Sequence, residues 1–291
     1  MNNKIYLCFD VGATSVKYAY IDSLNLSIIK KGSFETKNSK GLFEKEMLIT
    51  NLVKQIDLAT KNYEIVFVGI ATFGGVNIKT KTIIYTNESV KEYLHTNWDE
   101  TINNNRQNKI DVVVLNDIKA CSLAEFAKKD NDNGIMVTLG TGFGVCLYSR
   151  QDVYYGANYL AGEIGVLKIL DGVDQDIDTA CSAVITTNKI KAILKIDNLK
   201  LTDHNLINVN EQAKAIKQEW INNIVKTFKI INAFYDPEIF IIGGGVSSDE
   251  LIINEIKNNL PLNFNKEVVG ASLGNDAAFY GLIEYYQKHY K

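Results

Sequence analysis

Ile5-Tyr-Leu-Cys-Phe9 is an apolar run, followed at once by Asp10-Val-Gly12-Ala13-Thr14-Ser15 and a second apolar run, Val16–Ile21. The same device returns at Ile135–Leu139, Gly140-Thr-Gly-Phe-Gly144 and Val145–Ser149. A turn from strand back to strand with small residues at its tip lets backbone N–H groups approach an anion with no Cβ in the way. Two such turns in similar halves of one chain imply two loops gripping one polyphosphate, and so a nucleotide-driven enzyme.

Working outward, Leu26–Phe34 reads as a third strand of the first sheet. Leu42–Asn62 carries Phe43, Met47, Leu48, Leu52, Ile56 and Ala59 at helical spacing. Ile65–Ala71 is a buried strand ending in Gly74-Gly75, and Val112–Leu115 is another, running into Asn116-Asp117 and a helix from about Ile118 to Lys129. In the second half a loop-rich stretch, Tyr154 to Asp178, precedes helices at Thr179–Ile193 and Glu211–Tyr235. Pro237 then introduces the strand Ile239–Ile242 with Gly243-Gly244-Gly245 at its end. A helix at Ser248–Asn259, a strand at Val268–Ser272 and a helix at Asp276–Tyr290 follow. A hairpin plus alternating units, twice, predicts a duplicated α/β lobe, with the cleft between lobes as the ligand site. The Asn- and Lys-rich pieces Asn103–Lys109, Lys128–Asn133 and Lys195–Asn210 read as solvated loops.

The 291 residues are enough for two lobes with separate cores. A net charge of −3 supplies no basic footprint, which argues against a nucleic-acid partner. No apolar run is long enough to span a bilayer and no signal peptide is evident, so a cytoplasmic protein is expected. The first strand begins a few residues after Met1, so no N-terminal DNA-binding domain is expected. Cys8, Cys121, Cys146 and Cys181 are scattered among apolar or small residues, as reduced packing cysteines are. His95, His204 and His289 are equally dispersed, so a His/Cys metal site has little material.

Asp10 through Lys17 resembles the first phosphate loop of the sugar kinase, actin and Hsp70 superfamily. Asp10 at a strand end can hold Mg²⁺ through water, Gly12 and Thr14 offer N–H and hydroxyl to phosphate oxygens, and Lys17 adds positive charge or faces solvent. Thr138-Leu-Gly140-Thr141-Gly142-Phe-Gly144 resembles the second phosphate loop, and Ile241-Ile-Gly243-Gly244-Gly245-Val-Ser247 the adenosine-binding turn. The three occur in the order the superfamily requires. The resemblance narrows to the ROK family of sugar kinases and sugar-responsive repressors and covers nearly the whole chain. Asn116-Asp117-Ile-Lys-Ala120 is similar to its Asn-Asp-x-x-Ala motif, Ala161-Gly162-Glu163-Ile-Gly165 to its sugar-binding turn, and Asp236-Pro237-Glu238 and Leu273–Ala278 to its C-terminal pattern.

That resemblance implies two ribonuclease-H-like (actin-like ATPase) lobes: residues 1–117 completed by helix 276–291, and residues 118–275. Asp117, where a buried strand gives way to a helix, is the expected catalytic base, against the alternative of a helix N-cap. Sugar contacts are expected from Gly75, Asn87, Asn116, Asp117 and Glu163. Nucleotide contacts are expected from Asp10, Gly12, Thr14, Lys17, Gly140, Thr141, Gly142, Gly244 and Gly245.

The chain departs from the family pattern where most members carry zinc. The His that follows the sugar-binding turn is Val166, no cysteine cluster follows, and Lys168–Asp178 is an acidic loop holding Asp171, Asp174, Asp176 and Asp178. No structural zinc is expected, and Val166, Leu167, Ile169 and Leu170 are candidates to pack the loop instead. Asp176 is the best match for a family Glu that touches the sugar, with Asp178 second. Ala13 replaces a usual glycine, a harmless change if its φ is negative.

The expected activity is ATP- and Mg²⁺-dependent phosphorylation, at the 6-hydroxyl, of a hexose or N-acetyl-hexosamine such as N-acetylmannosamine or glucose. The resemblance also implies a homodimer, although no interface signature is visible. The rivals are a non-catalytic sugar-binding regulator of the ROK type and an actin-like filament or chaperone ATPase.

Overall fold

The computed structural model describes residues 3–104 and 106–290. Asn105, inside one expected loop, lies outside the described residues. The chain divides into two compact units, one running to Ala127 with Tyr155–Leu160 and the segment from Asn275, the other comprising Lys128–Tyr154 and Ala161–Gly274.

In chain order the first unit contains β1 (Lys4–Val11), β2 (Ser15–Asp22), β3 (Ile28–Glu35), α1 (Lys45–Thr60), β4 (Glu64–Thr72), β5 (Gly75–Asn77), β6 (Thr82–Tyr85), α2 (Trp98–Asn103), β7 (Asp111–Asn116) and α3 (Asp117–Phe126). Its main sheet has the order β3-β2-β1-β4-β7. The first three strands are antiparallel, whereas β4 and β7 run parallel to β1. β1 is central, which is why its apolar run is continuous rather than alternating. β3 is the edge strand, and Lys30 and Lys31 blunt it. α1 buries Leu48, Leu52, Ile56 and Ala59, spaced to form one stripe.

The second unit contains β8 (Asn133–Leu139), β9 (Phe143–Ser149), β10 (Asp152–Val153), α4 (Ile177–Ala180), α5 (Ala183–Leu194), α6 (His204–Asn208), α7 (Glu211–Tyr235), β11 (Ile239–Gly244), α8 (Glu250–Asn259) and β12 (Glu267–Gly270). Its sheet, β10-β9-β8-β11-β12, repeats the first: an antiparallel hairpin joined to parallel strands. α7 lays Trp220, Ile221, Ile224, Phe228 and Ile231 into the core, and Phe228 stacks on Phe240 of β11 at 4.7 Å between ring centroids. Asp236 ends α7 in the left-handed conformation, directly before Pro237, and pairs with Lys266.

The last helix, α9 (Ala277–His289), belongs to the first unit. It lies so close to α3 that a Cβ on Gly281 would fall 1.7 Å from the Ala120 carbonyl oxygen. That packing places α3 in the first unit, so the boundary falls at Ala127 rather than at residue 117.

Other differences from the sequence reading have local causes. The helix expected over Thr179–Ile193 breaks at Cys181-Ser182, where the Ser182 hydroxyl accepts the Ile185 N–H and starts a new helix. The segment expected to be a solvated loop at Lys195–Asn210 buries Leu199, Leu201 and Ile207 and contains α6. There His204 bridges Asp249 (2.9 Å) and the buried Lys217 (3.1 Å), which also pairs with Glu255. α2 and the β5–β6 hairpin were too short to leave a periodic signal. Tyr93 secures the start of α2, its buried hydroxyl accepting the Trp98 indole N–H and meeting the Thr72 hydroxyl, both at 2.9 Å, while Ile83 of β6 exchanges backbone bonds with His95 and Thr96.

Candidate active site

In the first unit Asp10, near the end of β1, stands directly across from Lys17 on β2. The Lys17 ammonium lies 3.9 Å from the Asp10 carboxylate and donates to the Asn275 side chain at 3.1 Å. Burial pushes the Asp10 carboxyl above the usual carboxylate range, and Lys17 partly offsets this. The turn beyond is closed by the Gly12 N–H donating to the Ser15 carbonyl at 3.0 Å. Ala13 and Thr14 are exposed at its tip, and Ala13 is not a positive-φ residue, so its methyl is tolerated.

Asn116 is the last residue of β7 and the N-cap of α3. Its Oδ1 accepts the Lys119 N–H at 3.3 Å and its Nδ2 donates to the Gly74 carbonyl at 3.0 Å. The capping role therefore falls to Asn116, and Asp117 occupies the first turn, half-buried, with Oδ1 accepting the Ile118 N–H at 2.8 Å. Gly75 is buried, and a Cβ there would fall 2.3 Å from Leu160, so packing alone accounts for that glycine. Asn87 is exposed, and its Oδ1 accepts the Ser89 hydroxyl at 2.7 Å. Sequence reasoning missed Lys119: its buried ammonium donates to the Tyr159 carbonyl at 2.8 Å, fixing Tyr155–Leu160 beside Gly75 and α3. No signal marked it, since α3 also carries Asp117, Ser122 and Glu125.

In the second unit the β8–β9 turn exposes Thr141 between Gly140 and Gly142. The Gly140 carbonyl accepts the Val184 N–H (3.2 Å) and the Ser182 hydroxyl (3.4 Å), which ties the turn to the start of α5. Gly244, at the end of β11, has φ +90°, and a Cβ there would fall 2.3 Å from the Leu139 carbonyl oxygen. Gly140 and Gly245 differ: both lie outside the left-handed region, and a Cβ on either would meet nothing within 4 Å. The fold does not demand glycine at those two positions. A cavity of about 360 Å³ begins just past this turn, lined by Ser247, Ser248, Glu250, Asn254, Lys257 and Gly270 among others.

Glu163 is exposed on a tight turn, with Gly162 (φ +94°) pressed against the Val145 carbonyl. Asp176 caps α4: its carboxylate accepts the Thr179 N–H at 2.8 Å, and hydrogen bonding from Thr179 holds its carboxyl below the usual range. The carboxylate drawn in against the β8–β9 turn is Asp178, which accepts the Phe143 N–H at 2.8 Å. Of the four residues expected to pack the acidic loop, only Leu170 is buried. Val166, Leu167 and Ile169 are exposed, and Ile164 and Val173 pack on the core instead. Among the described residues no group of three or more His, Cys, Asp and Glu side chains is placed to hold a metal ion. No described helix is long and apolar enough to cross a membrane.

Two sheets of one topology, each with a small-residue turn closing its first hairpin, give the actin-like ATPase fold. The family model of the ROK family matches residues 6–288, and the chain belongs to that family. It is 24% identical over 322 residues to a glucokinase of Halalkalibacterium halodurans, covering 97% of this chain and 94% of that one. It is 28% identical over 192 residues to an N-acetylmannosamine kinase of Vibrio vulnificus, covering 58% and 63%. The structure of a ROK family glucokinase from Streptomyces griseus, in complex with glucose and AMPPNP, superposes with a TM-score of 0.78 at 20% identity, covering 98% and 99%.

Proposed function

We propose that this chain is an ATP-dependent kinase that transfers the γ-phosphate to the 6-hydroxyl of a hexose or N-acetyl-hexosamine such as N-acetylmannosamine or glucose. The observation that carries the reading is the division of labour at the end of β7. Asn116 caps α3, so Asp117 is placed at the positive end of the helix dipole without being needed as the cap. There its carboxylate favours the anion and takes the proton of the acceptor hydroxyl as phosphate arrives. Glu163 and Asn87 are the exposed polar side chains assigned to the sugar hydroxyls. Asn116 has Oδ1 and one Nδ2 hydrogen already engaged, which leaves its other Nδ2 hydrogen for the sugar.

The nucleotide is assigned to Gly12 and Thr14 in the first unit, and to Gly140, Thr141, Gly142, Gly244 and Gly245 in the second. Lys17 is directed to Asp10 and Asn275, so its part is to hold Asp10. The residues present fit a Mg²⁺ that travels with ATP. Such an ion keeps several waters and needs one or two carboxylates beside the phosphates, and Asp10 supplies one whose buried anion a cation would relieve. When bound, the ion neutralises charge on the transferring phosphate.

Sugar-dependent ADP release across a panel of hexoses and acetamido-hexoses, with the phosphate esters assigned by NMR, tests the reading. No ADP release with any member, at saturating ATP and Mg²⁺, would overturn it in favour of a sugar-binding regulator.

A further inference from the structure

Asp178 makes three contacts that together join two separate loops. Its carboxylate accepts the Phe143 N–H at 2.8 Å, at the foot of the β8–β9 turn. Its own N–H donates to the Gly165 carbonyl at 2.8 Å, at the end of the Glu163 turn. The carboxylate fills a slot that two glycines leave open: a Cβ on Gly142 would fall 2.7 Å from Oδ1, and one on Gly165 2.2 Å from it. α7 holds the same segment from behind. The Trp220 indole N–H donates to the Cys181 carbonyl at 2.8 Å, and the Asn223 amide to the Ala180 carbonyl at 3.3 Å. Ile177 N–H donates to the Leu167 carbonyl at 3.0 Å, which fastens the acidic loop at its far end.

We propose that Asp178 is a positioning residue, not a sugar ligand: it clasps the Gly140–Gly142 turn to the Glu163 turn, doing with one carboxylate what apolar packing of the acidic loop does not do. The assignment of those turns to nucleotide and sugar rests on the function proposed above; the clasp itself does not. An ionised acceptor of a backbone N–H is among the stronger hydrogen bonds, so losing it frees both loops at once. A residue that touched only the sugar would leave the nucleotide turn undisturbed.

The test pairs hydrogen–deuterium exchange with binding in Asp178→Ala and Asp178→Asn, alongside thermal melts. Asp178→Ala is expected to raise exchange in both 140–144 and 162–167 by about tenfold. It should also weaken AMPPNP and sugar binding by similar factors. Asp178→Asn keeps an acceptor oxygen of the same reach and should restore exchange to within about threefold of the wild type. If Asp178→Ala does not fold, Asp178→Asn decides alone: a positioning residue leaves both binding constants within about threefold of wild type, whereas a sugar ligand loses sugar affinity alone. Unchanged exchange in either loop, or a loss of sugar affinity alone, overturns the clasp. A wild-type protein that binds no nucleotide would refute the kinase reading, and the exchange arm would still decide the clasp.

Discussion

Gly140 and Gly245 are the positions where fold and ligand make separable demands. A Cβ at either meets no atom within 4 Å and the backbone lies outside the left-handed region, so alanine is geometrically free in the unliganded chain. Replacing such a glycine restricts the unfolded chain and stabilises by about 0.4–1 kcal/mol. At roughly 2–4 °C per kcal/mol in a chain of this size, the melting temperature should rise by about 1–4 °C. If phosphate or adenosine lies against these backbones, the added methyl must displace it and lengthen a charge-assisted N–H contact worth about 1.5–3 kcal/mol. That corresponds to a loss in ATP affinity of roughly 10- to 100-fold. Gly244→Ala is the control: φ is +90° and the Leu139 carbonyl lies 2.3 Å from the new Cβ, so it should destabilise the fold outright. Calorimetric titration of AMPPNP, with melts of all three variants, makes the comparison. Nucleotide affinity within twofold of wild type in both Gly140→Ala and Gly245→Ala would refute the placement of the nucleotide on these turns.

Three further outcomes are expected. Asp117→Asn should lower kcat by about 10²–10⁴ while sugar affinity, measured by titration, moves by less than about threefold; retained turnover removes Asp117 from the base role. Asp10→Asn removes a carboxyl whose ionisation burial opposes. The raised folded value means the cost of that ionisation is present at neutral pH and disappears as pH falls below the unfolded value of about 4, so the variant should melt no lower than wild type at pH 7 and lose any advantage in acid. It should also lose the part of the stabilisation that Mg²⁺ adds to that given by ATP alone. Gly281→Ala sets a Cβ 1.7 Å from the Ala120 carbonyl and should cost about 1–3 kcal/mol or more in denaturant unfolding, because α3 and α9 must part.

The duplicated topology was legible because its signals are local. The apolar runs at Ile5–Phe9 and Ile135–Leu139 become the central strands β1 and β8, and the glycine turns lie where the hairpins close. α7 was legible to the residue, since Asn210 caps it and Asp236-Pro237 ends it. What could not be read depends on partners distant in sequence. The clasp joins Phe143 to Asp178 across 35 positions, and no pattern within either segment distinguishes Asp178 from Asp171, Asp174 or Asp176. Register ranks Asp176 above Asp178 as the match for the family Glu; that Gly142 and Gly165 leave room for the Asp178 carboxylate is visible only in the fold. The packing expected of Val166, Leu167 and Ile169 failed for a related reason. Hydrophobicity marks what can be buried, but these side chains sit on a loop whose backbone bonds already fix it.

The two hairpin turns share a topology but not a chemistry. At the end of β1 the cross-strand pair is Asp10 and Lys17, a charged couple; at the matching place on β8 it is Thr138 and Gly144, with no charge. A carboxylate repels phosphate oxygens directly, so Asp10 would serve by holding a cation that neutralised their charge, and Lys17 limits the cost of keeping that carboxylate ready. On the proposed assignment the β8–β9 turn needs no such intermediary, because uncharged N–H groups on a glycine backbone can take phosphate oxygens themselves. Exchanging the two chemistries should therefore fail in opposite ways. A carboxylate introduced by Thr138→Asp should repel nucleotide whether or not Mg²⁺ is present, whereas Asp10→Thr should leave Mg²⁺-free nucleotide binding intact and abolish only the gain that Mg²⁺ confers. Titration of AMPPNP with and without Mg²⁺ separates these outcomes. Equal Mg²⁺ dependence in Asp10→Thr and wild type would show that the ion is held elsewhere.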